Sequence, residues 1–254
     1  MKDFETQIQR LLKRDCRVTV VPVIDSTNRA VKEQAGEGAP EGTVLVADRQ
    51  TAGRGRMGRS FFSPAGYGLY FSVLLRPKKA DPLKITVAAG VAVAEAVKAV
   101  FDIDLRIKWV NDLYLRDRKV CGILAEGAAS ENGLDWCVLG IGVNVYAPQE
   151  GFGELEQIAG ALLPQKKEDR RAELAAAILN RFFEVYENLN HPGVLEAYRE
   201  RSYLQGKTVT AHRGDEVFEG KVIGIGDEAE LLLQKDDGEI VALSSGEVRL
   251  ENYR

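Results

Sequence analysis

Residues 43–66 read TVLVADRQTAGRGRMGRSFFSPAG, in which Arg54, Arg56 and Arg59 stand among Gly53, Gly55 and Gly58. Thr43 to Ala47 is an apolar, β-branched run that predicts a strand, and Leu69 to Leu75 predicts a second one. The loop of residues 48–66 therefore joins strand to strand. It is not a Walker A loop, since the Lys-Ser/Thr pair is missing, nor a dinucleotide fingerprint, since no helix follows it. Glycine lets backbone amides approach a ligand closely. Arginine adds a permanent charge and a planar fork of donors that suits phosphate or carboxylate. Such a loop can wrap an anion. It could also be a solvated turn, or a contact for single-stranded nucleic acid.

Upstream, residues 3–14 place Phe4, Ile8, Leu11 and Leu12 at helical spacing. Val18 to Ile24 reads as a strand, and Asp25-Ser26-Thr27 offers cap side chains to a helix through Ala35. Downstream, Leu83 to Val100 predicts a strongly apolar helix. Strands are expected at 105–109, 113–115, 120–125 and 136–145, with a hairpin turn at 116–119, and helices at about 168–189 and 193–202. From Lys207 onward short alternating strands are punctuated by Arg213-Gly214-Asp215, Gly226-Asp227 and Asp237-Gly238, which is turn chemistry. The expectation is an α+β protein: residues 1–204 form a domain with a mixed or antiparallel sheet flanked by helices. Residues 205–254 form a small C-terminal SH3-like β-barrel.

Composition narrows the chemistry. The chain has 254 residues, 45% hydrophobic and 28% charged, with a net charge of −4, so any anion site must be local. Cys16, Cys121 and Cys137 form no CxxC pair, and no stretch approaches the ~18 apolar residues of a membrane span. A cytoplasmic protein is expected, with no membrane partner. His191 and His212 stand far from any Cys or acidic ligand pattern, which argues against a zinc site and a Ser-His-Asp triad. What remains is chemistry by positioning and fixed charge.

Five segments in order closely resemble the motifs of biotin protein ligases. They are Asp25-Ser26-Thr27-Asn28, Gln50 to Arg59, Lys108-Trp109-Val110-Asn111-Asp112, Arg118 to Leu124, and Gly140 to Val145. The likeness runs from about residue 20 to 250. It implies ATP-dependent activation of biotin to biotinyl-5′-AMP, with Mg²⁺, and transfer to a lysine of a biotin carboxyl carrier protein domain of a carboxylase.

The resemblance also implies roles. Biotin would be bound by Ser26, Thr27, Asn28, Gln50, Gly53, Arg54, Gly55, Arg56, Lys119 and Gly122. ATP would be bound by Arg59, Phe61, Lys108, Asn111, Asp112 and Asn144, with Arg54, Arg56 and Lys119 catalytic. The Mg²⁺ ligands stay open. Attack by a carboxylate on the α-phosphorus needs no general base, because the nucleophile is already ionised. It needs cations to hold two anions together. A closed loop would then shield the adenylate from water.

Three positions depart from the family pattern: Val110 stands for a proline, Met57 for a frequent arginine, and Phe61 for a tryptophan that packs on adenine. Some members carry an N-terminal winged helix-turn-helix; the residues before Val18 are too few for one, so no DNA binding is expected. The family also suggests a homodimer. Two rivals are a lipoate protein ligase-like acyl adenylate transferase and, in another class, a single-stranded nucleic-acid binder. The acidic net charge and the lack of clustered aromatics on the barrel strands speak against the second.

Overall fold

The computed structural model describes residues 1–77, 81–130 and 133–250; residues 251–254 of the expected C-terminal domain lie outside them. Its first sheet is built from β1 (Arg17–Ile24), β2 (Thr43–Gln50), β3 (Gly68–Leu75), β4 (Arg106–Lys108), β5 (Asp112–Leu115), β6 (Arg118–Ser130) and β7 (Gly133–Asn144). Their spatial order is β1-β2-β3-β7-β6-β5-β4. β1 and β2 are parallel, joined by a crossover through α2 (Thr27–Gly36), and every other neighbouring pair is antiparallel. The sheet is mixed, as the run of hairpins predicted. β6 reaches further than the expected 120–125 because it pairs with β7 from Cys121↔Val143 to Ser130↔Gly133.

Alternation decides which side each strand buries. Val44, Val46, Phe71, Val73, Ile123, Leu139 and Ile141 face one core, where α3 (Pro82–Phe101) and α4 (Arg171–Tyr186) lie. α3 opens on an Asp81 cap that accepts from the Leu83 amide, followed by Pro82, and its Ala/Val surface is buried almost all round. α1 (Lys2–Leu11) packs on α4 through the buried Ile8. α2 covers the opposite face, where Val31 and Ala35 meet Leu45, Leu74 and Val138. That second core is small because much of this face carries glycine, serine and charge.

After α5 (Pro192–Glu200) come five antiparallel strands, β8 (Thr208–Arg213), β9 (Glu216–Ile225), β10 (Leu231–Gln234), β11 (Ile240–Leu243) and β12 (Glu247–Leu250), ordered β11-β10-β9-β8-β12. This is the expected SH3-like unit. It is fixed to the first sheet by Trp109, whose Nε1 donates to the Ala229 carbonyl at 2.9 Å, and by hydrophobic residues of both units that share one cluster.

Candidate active site

Two rows of residues cross the α2 side of the sheet under the site, and from them Gly142, Gly122, Asp112, Lys108, Gly140 and Leu124 form its floor. One runs Tyr70, Gly142, Gly122, Asp112, Lys108 over β3, β7, β6, β5 and β4. The next runs Ser72, Gly140, Leu124. With glycine at three crossings the floor is a trough, into which loops can lower side chains. Gly140 is required for that: a Cβ there would lie 2.0 Å from Asn28 Oδ1. One at Gly142 would lie 2.6 Å from the Phe61 ring, which rests on Gly142 and Gly122 and meets Tyr70 edge-on.

The trough opens into a cavity of about 590 Å³, within the range of small-molecule sites. Ser26, Thr27 and Asn28 enter from the start of α2, where Ser26 caps the helix by accepting from the Arg29 amide. Capping and pocket lining coexist. Gln50 ends β2; its Oε1 accepts from the Thr27 amide at 2.9 Å and its Nε2 donates to Ser63 Oγ at 3.0 Å.

The glycine-arginine loop is itself a small hairpin. Arg54 bridges Ser60, the Gly55 amide donates to Arg59 O at 2.7 Å, and a 3₁₀ turn spans Arg56–Gly58 with Met57 in the left-handed region. Arg54, Gly55, Arg56, Arg59 and Phe61 all line the cavity. Gly53 does not; it sits at the neck of the hairpin, where a Cβ would lie 2.5 Å from Phe61 O and 2.8 Å from Ser63 Oγ. Arg56 donates to Asn111 Oδ1 and, from its other nitrogen, to the Gly246 carbonyl, both at 3.2 Å. Arg59 pairs with Glu247, so the C-terminal unit holds the loop at two points.

Opposite the loop lie the cations of the sheet. The β5–β6 register slips by one residue between Leu113↔Cys121 and Tyr114↔Lys119, a bulge that re-aims Lys119. Its ammonium reaches 2.7 Å from Asp112 Oδ1. That oxygen is buried and accepts no hydrogen bond of regular geometry, so the contact is one of charge alone. Lys108, directly across from Asp112, has its pKa lowered by burial, with the Asp112 carboxylate acting against that and Lys119 reinforcing it. Asn111 and Asn144 complete the lining; Asn111 Nδ2 donates to Ile123 O and Asn144 Nδ2 to Gly160 O, each at 2.9 Å. Every expected site residue other than Gly53 thus lines one cavity, which is an arrangement that can clamp two anions.

The family model described as "Biotin/lipoate A/B protein ligase family" matches residues 20–144, and that of "Biotin protein ligase C terminal domain" matches residues 205–250. The bifunctional ligase/repressor BirA of Bacillus spizizenii is 37% identical over 90% of this chain and 72% of its own length. The chain belongs to the biotin/lipoate A/B protein ligase family. Another member, biotin--[acetyl-CoA-carboxylase] ligase of Mycobacterium tuberculosis, is 33% identical over 91% of this chain and 88% of its own. A solved biotin protein ligase from Aquifex aeolicus, in complex with biotin and ATP, superposes with a TM-score of 0.78 at 30% identity, covering 92% of this chain and 98% of that one.

Several lining residues of this family member escape a reading of motifs. Phe152, Leu155, Ile158 and Ala159 reach the cavity from the segment after β7, tied down where the Lys119 amide donates to Ile158 O at 2.8 Å. Gly246, Glu247 and Val248 come from the C-terminal unit. No local pattern marks them. Ser72, which lies behind the lining, does have a signal, as a polar residue in an otherwise apolar strand. Among the described residues no helix is long and apolar enough to cross a membrane, and no cluster of three or more His, Cys, Asp or Glu could hold a metal by itself.

Proposed function

We propose that this chain is a biotin–protein ligase: it joins biotin to AMP and then passes the biotinyl group to a lysine of a biotin carboxyl carrier protein domain. The observation that carries the reading is the convergence of Arg54, Arg56, Lys108 and Lys119 on one glycine-floored cavity beneath a folded loop. In the first step a biotin carboxylate oxygen attacks the α-phosphorus of ATP and pyrophosphate leaves. In the second the carrier amine attacks the acyl carbon, loses a proton, and AMP leaves.

Ser26, Thr27, Asn28, Gln50 and Gly122 take the biotin end, and Gly53 keeps the loop neck tight against Phe61 and Ser63. Lys119 sits where it can pass from Asp112 to the carboxylate and α-phosphate, holding together two anions that otherwise repel. Arg54, Gly55 and Arg56 close over the adenylate, and Arg59, Phe61, Lys108, Asn111 and Asn144 take the nucleotide.

Mg²⁺ typically binds through one or two protein carboxylates plus substrate phosphates. Asp112, with its buried oxygen lacking an aligned donor, fits that donor set and is the residue we assign to it. When bound, the ion neutralises phosphate charge as pyrophosphate departs. We take residues 1–204 as the catalytic domain and 205–254 as a second domain, and place the reaction in the cytoplasm, where the three free cysteines stay reduced. Nothing in the described surface or the relatives' names supports the expected homodimer.

The test incubates the chain with ATP, Mg²⁺ and either biotin or lipoate, with a carrier domain present. Pyrophosphate release and a carrier mass gain with biotin are expected. Modification by lipoate alone would overturn the substrate assignment.

A further inference from the structure

Behind the wall of the cavity runs a chain of hydrogen bonds through two residues, Ser72 and Glu126, that do not line it. Asn28 Nδ2 donates to Glu126 Oε2 at 2.9 Å and, at 3.4 Å, toward Leu124 O. Glu126 also pairs with Lys32. Ser72, fully buried on β3, donates to Asn28 Oδ1 at 2.6 Å and lies 2.8 Å from Thr27 Oγ1.

The hydrogens in this chain can be counted. An ionised carboxylate only accepts. Facing both Glu126 and a carbonyl, the Asn28 amide must point its NH₂ that way and its oxygen toward Ser72. The single Ser72 hydrogen is then committed to Asn28 Oδ1. Thr27 Oγ1 therefore finds only acceptors around it, Ser72 Oγ at 2.8 Å and Gln50 Oε1 at 3.1 Å, and spends its own hydrogen on one of them. Gln50 Oε1 cannot be the amide's nitrogen end, since it accepts from the Thr27 backbone amide at 2.9 Å. With its hydrogen so placed, Thr27 Oγ1 presents lone pairs toward the cavity that it lines.

We propose that Ser72 and Glu126 are positioning residues that fix the hydrogen-bond polarity of Thr27, so that this end of the cavity accepts from a ligand N–H and favours a cyclic urea over a dithiolane. The proposal rests on the biotin reading above and deepens it. Glu126 is suited to the task because its carboxyl stays ionised: burial acts to raise its pKa, but the hydrogen bonds from Asn28 and Lys32 outweigh that and hold it below the ordinary value. Gly140 belongs to the same device, as the bare backbone that lets Asn28 descend to Ser72.

The experiment measures KM for biotin, for desthiobiotin (the same urea ring without the sulfur) and for ATP, with kcat, in the full chain and in Ser72→Ala and Glu126→Gln. Ser72→Ala leaves Asn28 Oδ1 without its donor and Thr27 with Gln50 alone to orient it, so the KM of both urea ligands should rise about tenfold, the order expected for one lost hydrogen bond, while KM for ATP and kcat stay within about twofold. Ser72→Thr, which restores a hydroxyl, should recover part of the loss. Glu126→Gln, a near-isosteric change at a partly exposed position, should show the same split at about threefold, since its amide can present either end to Asn28. Unchanged urea KM values in both variants would overturn the proposal, as would parallel losses in urea KM, ATP KM and kcat. Failure of the biotin reading itself would show differently, as no biotin-dependent pyrophosphate release by the unmodified chain.

Discussion

The ammonium of Lys119 and the carboxylate of Asp112 face each other at 2.7 Å across adjacent strands, brought there by a slip in the β5–β6 register. On the function proposed above, each is the other's placeholder: the lysine for a carboxylate and a phosphate, the aspartate for a divalent cation. Lys119→Met keeps the length of the stem and removes the charge. Adenylation should fall by about 10² or more, equivalent to about 3 kcal/mol of transition-state stabilisation. Pyrophosphate release in a single turnover checks this. Urea unfolding should shift by about 1 to 3 kcal/mol, because the buried Asp112 oxygen loses its charge partner. An unaffected adenylation rate would remove Lys119 from the mechanism.

Arg56 ties the glycine-arginine hairpin to both sides of the cavity mouth, through Asn111 Oδ1 and the Gly246 carbonyl. Arg56→Gly loses both ties and leaves the hairpin with the Arg59–Glu247 pair. The adenylate should then escape roughly 10- to 100-fold faster, a loss of about 1.4 to 2.8 kcal/mol in retention. Free biotinyl-5′-AMP in the filtrate, and labelling of lysines on bystander proteins, would report it. Retention equal to that of the parent chain would sink the closing role given to the loop.

Much of this was legible in advance because local chemistry and tertiary structure agree. The β-branched run at 18–24, the largely apolar run at 69–75, the Asp25-Ser26-Thr27 cap and the buried Ala/Val helix each became the element their pattern predicts. The arginines converge because the loop folds as a hairpin, with Phe61 resting on Gly142 and Gly122 and with Arg56 and Arg59 tied to Gly246 and Glu247. What stayed hidden depends on pairing across distance. Nothing local marks Glu126, whose partner Asn28 donates to it from 98 positions away. Glu247 and Gly246 reach the cavity only because Trp109 and the shared core dock the last five strands on the first sheet. The parallel pairing of β1 with β2 follows from where α2 packs rather than from either strand's own residues.

The trough floor makes a prediction independent of charge. In Gly140→Ala the new methyl carbon would stand 2.0 Å from Asn28 Oδ1, which must lift away from Ser72. Biotin affinity should drop by about 1 to 3 kcal/mol, the cost of leaving buried polar groups unpaired, and the nucleotide should still bind. Isothermal titration with biotin and separately with ATP distinguishes the two. Equal weakening of both ligands would mean that the sheet, not the Asn28 contact, had been disturbed.

Acid stability should trace a pair far from the cavity. Arg171, almost fully buried, donates to both oxygens of Asp169 at 2.8 Å, and Lys166 adds a contact at 2.7 Å. Burial by itself would raise the pKa of Asp169, yet these donors overcome it and bring it from 3.8 down to about 2. A carboxyl whose folded pKa lies below its unfolded one stabilises the fold in full above the unfolded value, and progressively less as pH falls through the folded one. With the side chain about a third exposed, solvent screening reduces the contribution to about 1 kcal/mol. Asp169→Asn should therefore unfold more easily than the parent at pH 7, while Arg171 keeps Asp48 as a partner at 2.8 Å. The gap should narrow below pH 4 and close near pH 2. Urea titrations at pH 7, 4 and 2.5 measure it, and a gap that does not vary with pH would mean that packing rather than charge sets the stability of this corner.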